Sequence, residues 1–294
     1  MARVRHFIPS ALTAVGMGFA ALSIQASVDG LHRSAAWWGM LCVLTDKADG
    51  AAARALRASS TFGAQLDSFS DFFSFGVVPS TLFYAFFSAV PSAGWGDGLH
   101  HAILGALSLF FLVCVAGRLA RFNITHGVPG AERFFFGVPT TFTGGVLLAT
   151  FVTLLKYGDP SWSARDPGGD RLRLLGGLRL DALMPFFPWL LVPAGLLMVS
   201  TFRMPKLGRT RWRLVDAGQG LGAILGMASA LTRRVPEFLV AGAVVYMSGS
   251  IVFHLRSMST ARDVRLPRLF ADVEERDREA AGGGSGSGRA GAAG

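Results

Sequence analysis

Apolar runs about twenty residues long alternate along this chain with short polar stretches that carry arginine. A helix that crosses a membrane needs roughly 20 apolar residues. Six segments supply them: Ile8–Ser27, Ala36–Arg57, Phe62–Val90, His101–Phe122, Phe136–Tyr157 and Leu183–Phe202. Gly218–Leu231 is a shorter, glycine-rich candidate for a seventh, and Val235–Leu255 is an eighth. The last two pair as a hairpin, because one extra crossing would move the C-terminus to the other side. The pattern predicts an all-α fold, a polytopic membrane helical bundle with a six-helix core, a C-terminal helical hairpin and about eight transmembrane helices. It forms one transmembrane domain over residues 1–256, followed by a cytoplasmic tail over 257–294. The Gly/Ser/Ala composition of that tail predicts disorder. The first apolar run is followed by further spans, so it reads as a retained helix and not a cleaved leader.

Composition sharpens the class. Of 294 residues, 51% are hydrophobic, 24 are Phe and only 16% are charged, and the mean hydropathy is +0.44. An ordinary soluble domain is excluded. The net charge of +9 comes almost wholly from arginine. The arginines flank apolar segments, which points to anionic membrane lipids and to topology, with no nucleic acid partner. With the N-terminus inside, the inner loops hold Arg54 and Arg57, then Arg118, Arg121 and Arg133, then Arg203 to Arg213, whereas the first two outer loops hold only Arg33. The outer segment Gly158–Asp181 mixes arginine with aspartate. The basic-inside bias predicts an integral membrane protein with the Asp46–Asp71 stretch on the cytoplasmic side. Cys42 and Cys114 lie in apolar runs and read as small packing residues, with neither a disulfide framework nor zinc spacing. His100 and His101 read as solvated residues of an outer loop, and Phe72–Phe75 and Phe134–Phe136 as packing or lipid-facing clusters.

One polar stretch breaks the apolar pattern. Residues Asp46 to Asp71 read DKADGAAARALRASSTFGAQLDSFSD and carry Asp46, Asp49, Asp67 and Asp71 between segments that look like membrane interior. Carboxylates are costly there, so several together mark a functional site. Asp46 and Asp49 are spaced i, i+3 and Asp67 and Asp71 i, i+4, so each pair shares a helix face. A helix–turn–helix hairpin would point the pairs at each other. Like charges that close need a counter-ion, and a hard divalent cation with oxygen ligands suits them.

The fixed positions are Asp46-x2-Asp49-Gly50-x2-Ala53-Arg54-x8-Gly63-x3-Asp67-x3-Asp71. At every one of them the stretch resembles the motif of the CDP-alcohol phosphatidyltransferases. The resemblance implies that an alcohol attacks the lipid-side phosphate of a CDP-linked lipid and that CMP leaves. It implies Asp46, Asp49 and Asp67 as metal ligands. It also implies Asp71 as the general base that touches a metal, and two divalent ions, Mg²⁺ or Mn²⁺, as cofactor. Phosphoryl transfer depends on cations and positioning more than on covalent help, which such a site supplies. Binding of CDP-diacylglycerol is expected of Gly50, whose missing Cβ lets the nucleotide approach, of Arg54, which can fork onto phosphate, and of the Ser60 hydroxyl. Gly63 is expected to let the two motif helices approach. The N-terminal IPSALT resembles the family's first-helix entry through Pro9 and Thr13, although Ser10 replaces the usual Asn. Pro9 also suits the first turn of a helix.

Four further blocks, LDSFSDFFSFGVVPS, AGRLARFNI, FFFGVPTTFTGG and LLMVSTFRMPKL, resemble successive blocks of the bacterial-type phosphatidylserine synthases. That resemblance runs from about Phe7 to Arg209 and implies L-serine as the acceptor and a homodimer. Arg118 and Arg121, i, i+3 at the end of the fourth span, would bind the serine carboxylate or a phosphate, with Asn123 adding a hydrogen bond. Arg203 and Lys206 form a second basic set. Charge alone does not choose serine, because glycerol 3-phosphate or an inositol phosphate would also welcome these arginines. The same acids would suit a divalent-cation transporter, but a pore has no need of the spacing that includes Gly50 and Ala53.

Overall fold

The computed structural model describes residues 2–57, 60–125, 134–159, 162, 169, 171–175, 180–205, 227–229, 231–232 and 236–260. The chain is a polytopic helical bundle. Its helices are α1 (Ala2–Val28), α2 (His32–Leu56), α3 (Thr61–Phe72), α4 (Val78–Ala89), α5 (Gly98–Thr125), α6 (Thr140–Gly158), α7 (Leu191–Val199) and α8 (Pro236–Thr260). Six stretches among the described residues are long and apolar enough to cross a membrane: Ile8–Val28, Thr61–Ala89, Gly98–Ile124, Thr140–Gly158, Asp181–Val199 and Pro236–Leu255. Helix α2 falls outside that set because the motif acids and bases fill its second half. It still packs along α1 and against α6, as the expected second span. The candidate seventh span lies for the most part outside the described residues, as do the tail and Lys206.

The third span is not a plain helix. Residues Phe73–Val77 form a single π-helical turn between α3 and α4. Pro79, at the start of α4, has no N–H and its ring crowds the carbonyl four residues back. A wider turn relieves that conflict, and such turns are frequent at functional sites. Helix α6 presses on this turn through Gly144. A Cβ there would sit 2.8 Å from the Phe75 Cβ, so only glycine allows the approach. The sixth span also changes character. Pro185 and Pro188 hold Asp181–Leu190 in a 3-10 helix before α7 begins.

A two-stranded antiparallel ribbon interrupts the all-helical pattern. Strand β1 (Phe134–Phe136) pairs with β2 (Arg203–Pro205), with Phe135 opposite Met204. The sequence expectation began the fifth helix at Phe136, and the structure begins it at Thr140. Gly137 has φ +78° and Pro139 disfavours helix in the residue before it, so the chain turns before α6 can start.

The core is aromatic where α4 meets α6. Phe83, Phe87 and Phe151 are fully buried, and Phe86 meets Phe151 edge-on at 5.0 Å. Phe75 is buried as well, while Phe72 and Phe73 are half-buried. Cys42 and Cys114 are buried free thiols. His100 and His101 belong to the first turn of α5 and not to a solvated loop. His101 shares a 2.8 Å hydrogen bond with the Tyr84 hydroxyl, and His100 packs edge-on against Trp95.

At the end of the bundle away from the motif acids, Lys156 of α6 is fully buried and pairs with Glu237 of α8 at 2.7 Å. The Tyr157 hydroxyl donates to Glu237 Oε1 at 2.7 Å and accepts from the Leu172 N–H. An ion pair this deep is costly to break from one side. Lys156→Met should therefore lower the unfolding midpoint in detergent, with a loss of about 3 kcal/mol. The double variant Lys156→Met with Glu237→Leu should recover most of it. A double variant as unstable as the single one would remove the ion pair as the cause.

Candidate active site

The site is assembled at the turn between α2 and α3. Helix α2 ends with Arg57 in the left-handed region (φ 50°, ψ 45°), its N–H bonded to the carbonyls of Ala53 and Arg54. Ser60 is extended and caps α3, accepting from the Gly63 N–H at 3.0 Å. This cap satisfies one of the orphan donors of the helix start and fixes where the next carboxylate, Asp67, falls, about two turns on. Each of Asp46, Asp49 and Asp67 then offers one carboxylate oxygen, and these oxygens lie within 4.8 Å of one another. Asp49 is buried, Asp46 is half-buried and Asp67 is exposed. Lys47 reaches Asp46 at 3.3 Å, but its side chain is 64% exposed, so it offsets little of the repulsion. Three converging hard oxygens with so little countercharge fit a divalent ion such as Mg²⁺ or Mn²⁺.

Asp71 lies one turn beyond Asp67, outside that triad. The charged groups that act on it include Asp46, Asp67 and the Arg118 guanidinium. The expected hairpin is therefore present, with three acids converging and the fourth set behind them.

Thr13 ties the first helix to the acids. Its hydroxyl reaches Asp49 Oδ2 at 2.9 Å and the Pro9 carbonyl at 3.0 Å. Pro9 is not in the first turn; it sits inside α1, and its carbonyl helps hold the threonine. Gly63 is not where the two motif helices approach each other either. A Cβ there would meet the Ser60 Oγ at 3.0 Å and nothing from α2, so its small size serves the cap. At Gly50 a Cβ would meet Arg54 Nη1 at 3.4 Å, which leaves an open face beside Asp49 under an exposed guanidinium.

The two arginines of α5 diverge. Arg118 is buried, donates to Thr140 Oγ1 at 2.9 Å, lies 5.4 Å from the centre of the Phe122 ring and faces Asp71. Arg121 donates to the carbonyls of Met198 and Val199 at 2.9 and 2.6 Å and more weakly to that of Ser200. It thereby closes the C-terminus of α7, where carbonyls lack helical partners. Asn123 Oδ1 accepts from the Ser68 hydroxyl at 3.0 Å, joining α5 to α3. Thr140 and Ser68 carried no signal in the sequence. Thr140 in particular reads as an ordinary helix-start residue.

A family model described as CDP-alcohol phosphatidyltransferase matches residues 6–166, more than half the chain and the whole of this acid cluster. The chain belongs to the CDP-alcohol phosphatidyltransferase family. Among curated relatives, a CDP-diacylglycerol–serine O-phosphatidyltransferase of Mycobacterium leprae is 28% identical over 54% of this chain and 51% of its own length. Proteins of the same name from Helicobacter pylori (27%, covering 71% of this chain and 76% of the relative) and Methanocaldococcus jannaschii (28%, covering 74% and 82%) match over longer stretches. The match spans about half the length of the mycobacterial relatives.

The geometry predicts a graded loss of metal affinity. Asp46→Asn, Asp49→Asn and Asp67→Asn should each abolish Mn²⁺ binding to the purified protein, followed by electron paramagnetic resonance. Thr13→Val, which removes the hydroxyl's bonds to Asp49 and to the Pro9 carbonyl but no acid, should weaken it about tenfold. Equal affinity in Thr13→Val and wild type would detach α1 from the site.

Proposed function

We propose that this family member transfers the phosphatidyl group of CDP-diacylglycerol to the hydroxyl of L-serine and releases CMP. The observation that carries the reading is the convergence of Asp46, Asp49 and Asp67 on a metal-suited point, with the half-buried Asp71 one helical turn beyond Asp67, in a chain similar to proteins named as serine O-phosphatidyltransferases. Asp46, Asp49 and Asp67, with Asp71 as a further ligand, would hold two divalent ions, which would supply positive charge to the pyrophosphate and to the CMP leaving group.

The chain's own residues do the rest. Asp71 takes the proton of the serine hydroxyl as its oxygen bonds to the lipid-side phosphorus, and the bond from that phosphorus to the CMP oxygen breaks. Arg118 receives the serine carboxylate as a fork. Arg54, over the open face at Gly50, takes a phosphate of the nucleotide, and the Ser60 hydroxyl reaches the CDP moiety while capping α3. Thr13, held by Pro9, keeps Asp49 aimed. Arg121 and Asn123 brace the acceptor side, Arg121 by closing α7 and Asn123 through Ser68. Gly63 contributes through the cap. Glycerol 3-phosphate or an inositol phosphate is the alternative acceptor for the same site.

The acids, Arg118, Thr140 and the end of α7 gather at one end of the bundle. We place that end at the cytoplasmic face of a bacterial inner membrane, where the basic loops predict it and where free serine is available. The transmembrane domain spans residues 1–256 with a cytoplasmic tail, and the protein works as a homodimer.

Purified protein in mixed micelles, given CDP-diacylglycerol and a single alcohol, should release CMP with L-serine and a divalent ion, and not after chelation. Asp71→Asn should lower kcat by at least about 100-fold while CDP-diacylglycerol still binds. CMP release with glycerol 3-phosphate and none with serine would reassign the acceptor.

A further inference from the structure

The proposed reaction gives Arg118 the serine carboxylate but does not say what aims its guanidinium. Its side chain is buried, with the whole residue 7% exposed. A guanidinium carries five N–H donors. Among the described residues, the one hydrogen-bond partner of Arg118 is the Thr140 hydroxyl. Its charge reaches Asp71 without a direct ion pair among those residues. None of its other nitrogens is both fully buried and unpaired among the described residues, so the edge that Thr140 does not engage stays open to an entering group while the charge itself sits largely out of water. An anionic group with two oxygens suits that edge.

Thr140 is well placed to hold that arrangement open. It is 1% exposed and is the first residue of α6. The segment before it is pinned from two sides. The Gly137 N–H donates to the Phe202 carbonyl at 2.8 Å and the Val138 N–H to the Leu197 carbonyl at 3.1 Å. The end of α7 that receives Val138 is closed in turn by Arg121. The Thr140 oxygen is thus fixed by the fold, whereas the Arg118 side chain is long and could turn elsewhere. The Phe122 ring lies along the guanidinium at 5.4 Å and steadies it from another direction.

We propose that Thr140 is a positioning residue for the acceptor. Its hydroxyl holds one edge of Arg118 so that the free edge meets the carboxylate of incoming serine beside Asp71. The inference rests on the serine reading above and deepens it. It separates binding of the acceptor from binding of the CDP-lipid, which meets the acids and Arg54 on the other side.

Steady-state kinetics in mixed micelles test it, varying serine and CDP-diacylglycerol in turn. Thr140→Val removes the hydroxyl at similar volume. It should raise the KM for serine roughly tenfold, as loss of a hydrogen bond to a charged group does, and leave the KM for CDP-diacylglycerol unchanged. Thr140→Ser should restore the wild-type serine KM. Thr140→Ala is read in the same way if the valine variant does not accumulate as folded protein. An unchanged serine KM, an equal rise for both substrates, or no rescue by serine overturns the inference while leaving the activity standing. Wild-type protein that releases no CMP with serine overturns the activity and the inference together.

Discussion

Holding like charges together in apolar surroundings is the constraint on which this structure turns. Three carboxylate oxygens within 4.8 Å of one another repel strongly where the effective dielectric is low. The polypeptide meets that cost by rigid placement. The Ser60 cap fixes the start of α3, Arg57 ends α2 in a left-handed turn, and Thr13 brings α1 onto Asp49. None of these residues removes the repulsion. They hold the acids in register for a cation that does.

The same end of the bundle manages its positive charge differently. Arg118 and Arg121 are one helical turn apart on α5, yet they meet different surroundings. Arg121 directs its donors at the carbonyls that end α7, whereas among the described residues Arg118 donates to the Thr140 hydroxyl alone. The difference follows from the packing of α5 between two neighbours. α7 presents a helix end with unpaired carbonyls, and α6 presents a single hydroxyl. The short β1–β2 ribbon and Gly137 fix the relation between those neighbours, so irregular backbone near the site has a mechanical part to play.

At the opposite end, the Lys156–Glu237–Tyr157 cluster joins α6 to α8. The family match ends at residue 166, so Glu237 lies beyond it. A fully buried lysine at the end of a matched helix is paired with a carboxylate that a helix outside the match brings to it. Helix α8 is therefore packed into the bundle as a structural partner of the family core.

Hydropathy determined most of the spans, because burying backbone in lipid requires long apolar helices, but not α2, whose second half carries the motif charges. The fixed spacing of Asp46, Asp49, Asp67 and Asp71 determined that they would gather, because helix periodicity and one turn decide which faces meet. Tertiary structure alone decided that Arg118 is open and Arg121 is engaged, since two residues on one helix face differ only in what packs against them. It also decided that Gly63 serves a cap, that Pro9 lies inside a helix and that Thr140 holds an arginine 22 residues away. Each of these depends on where distant segments come to rest, and neither composition nor spacing carries that information.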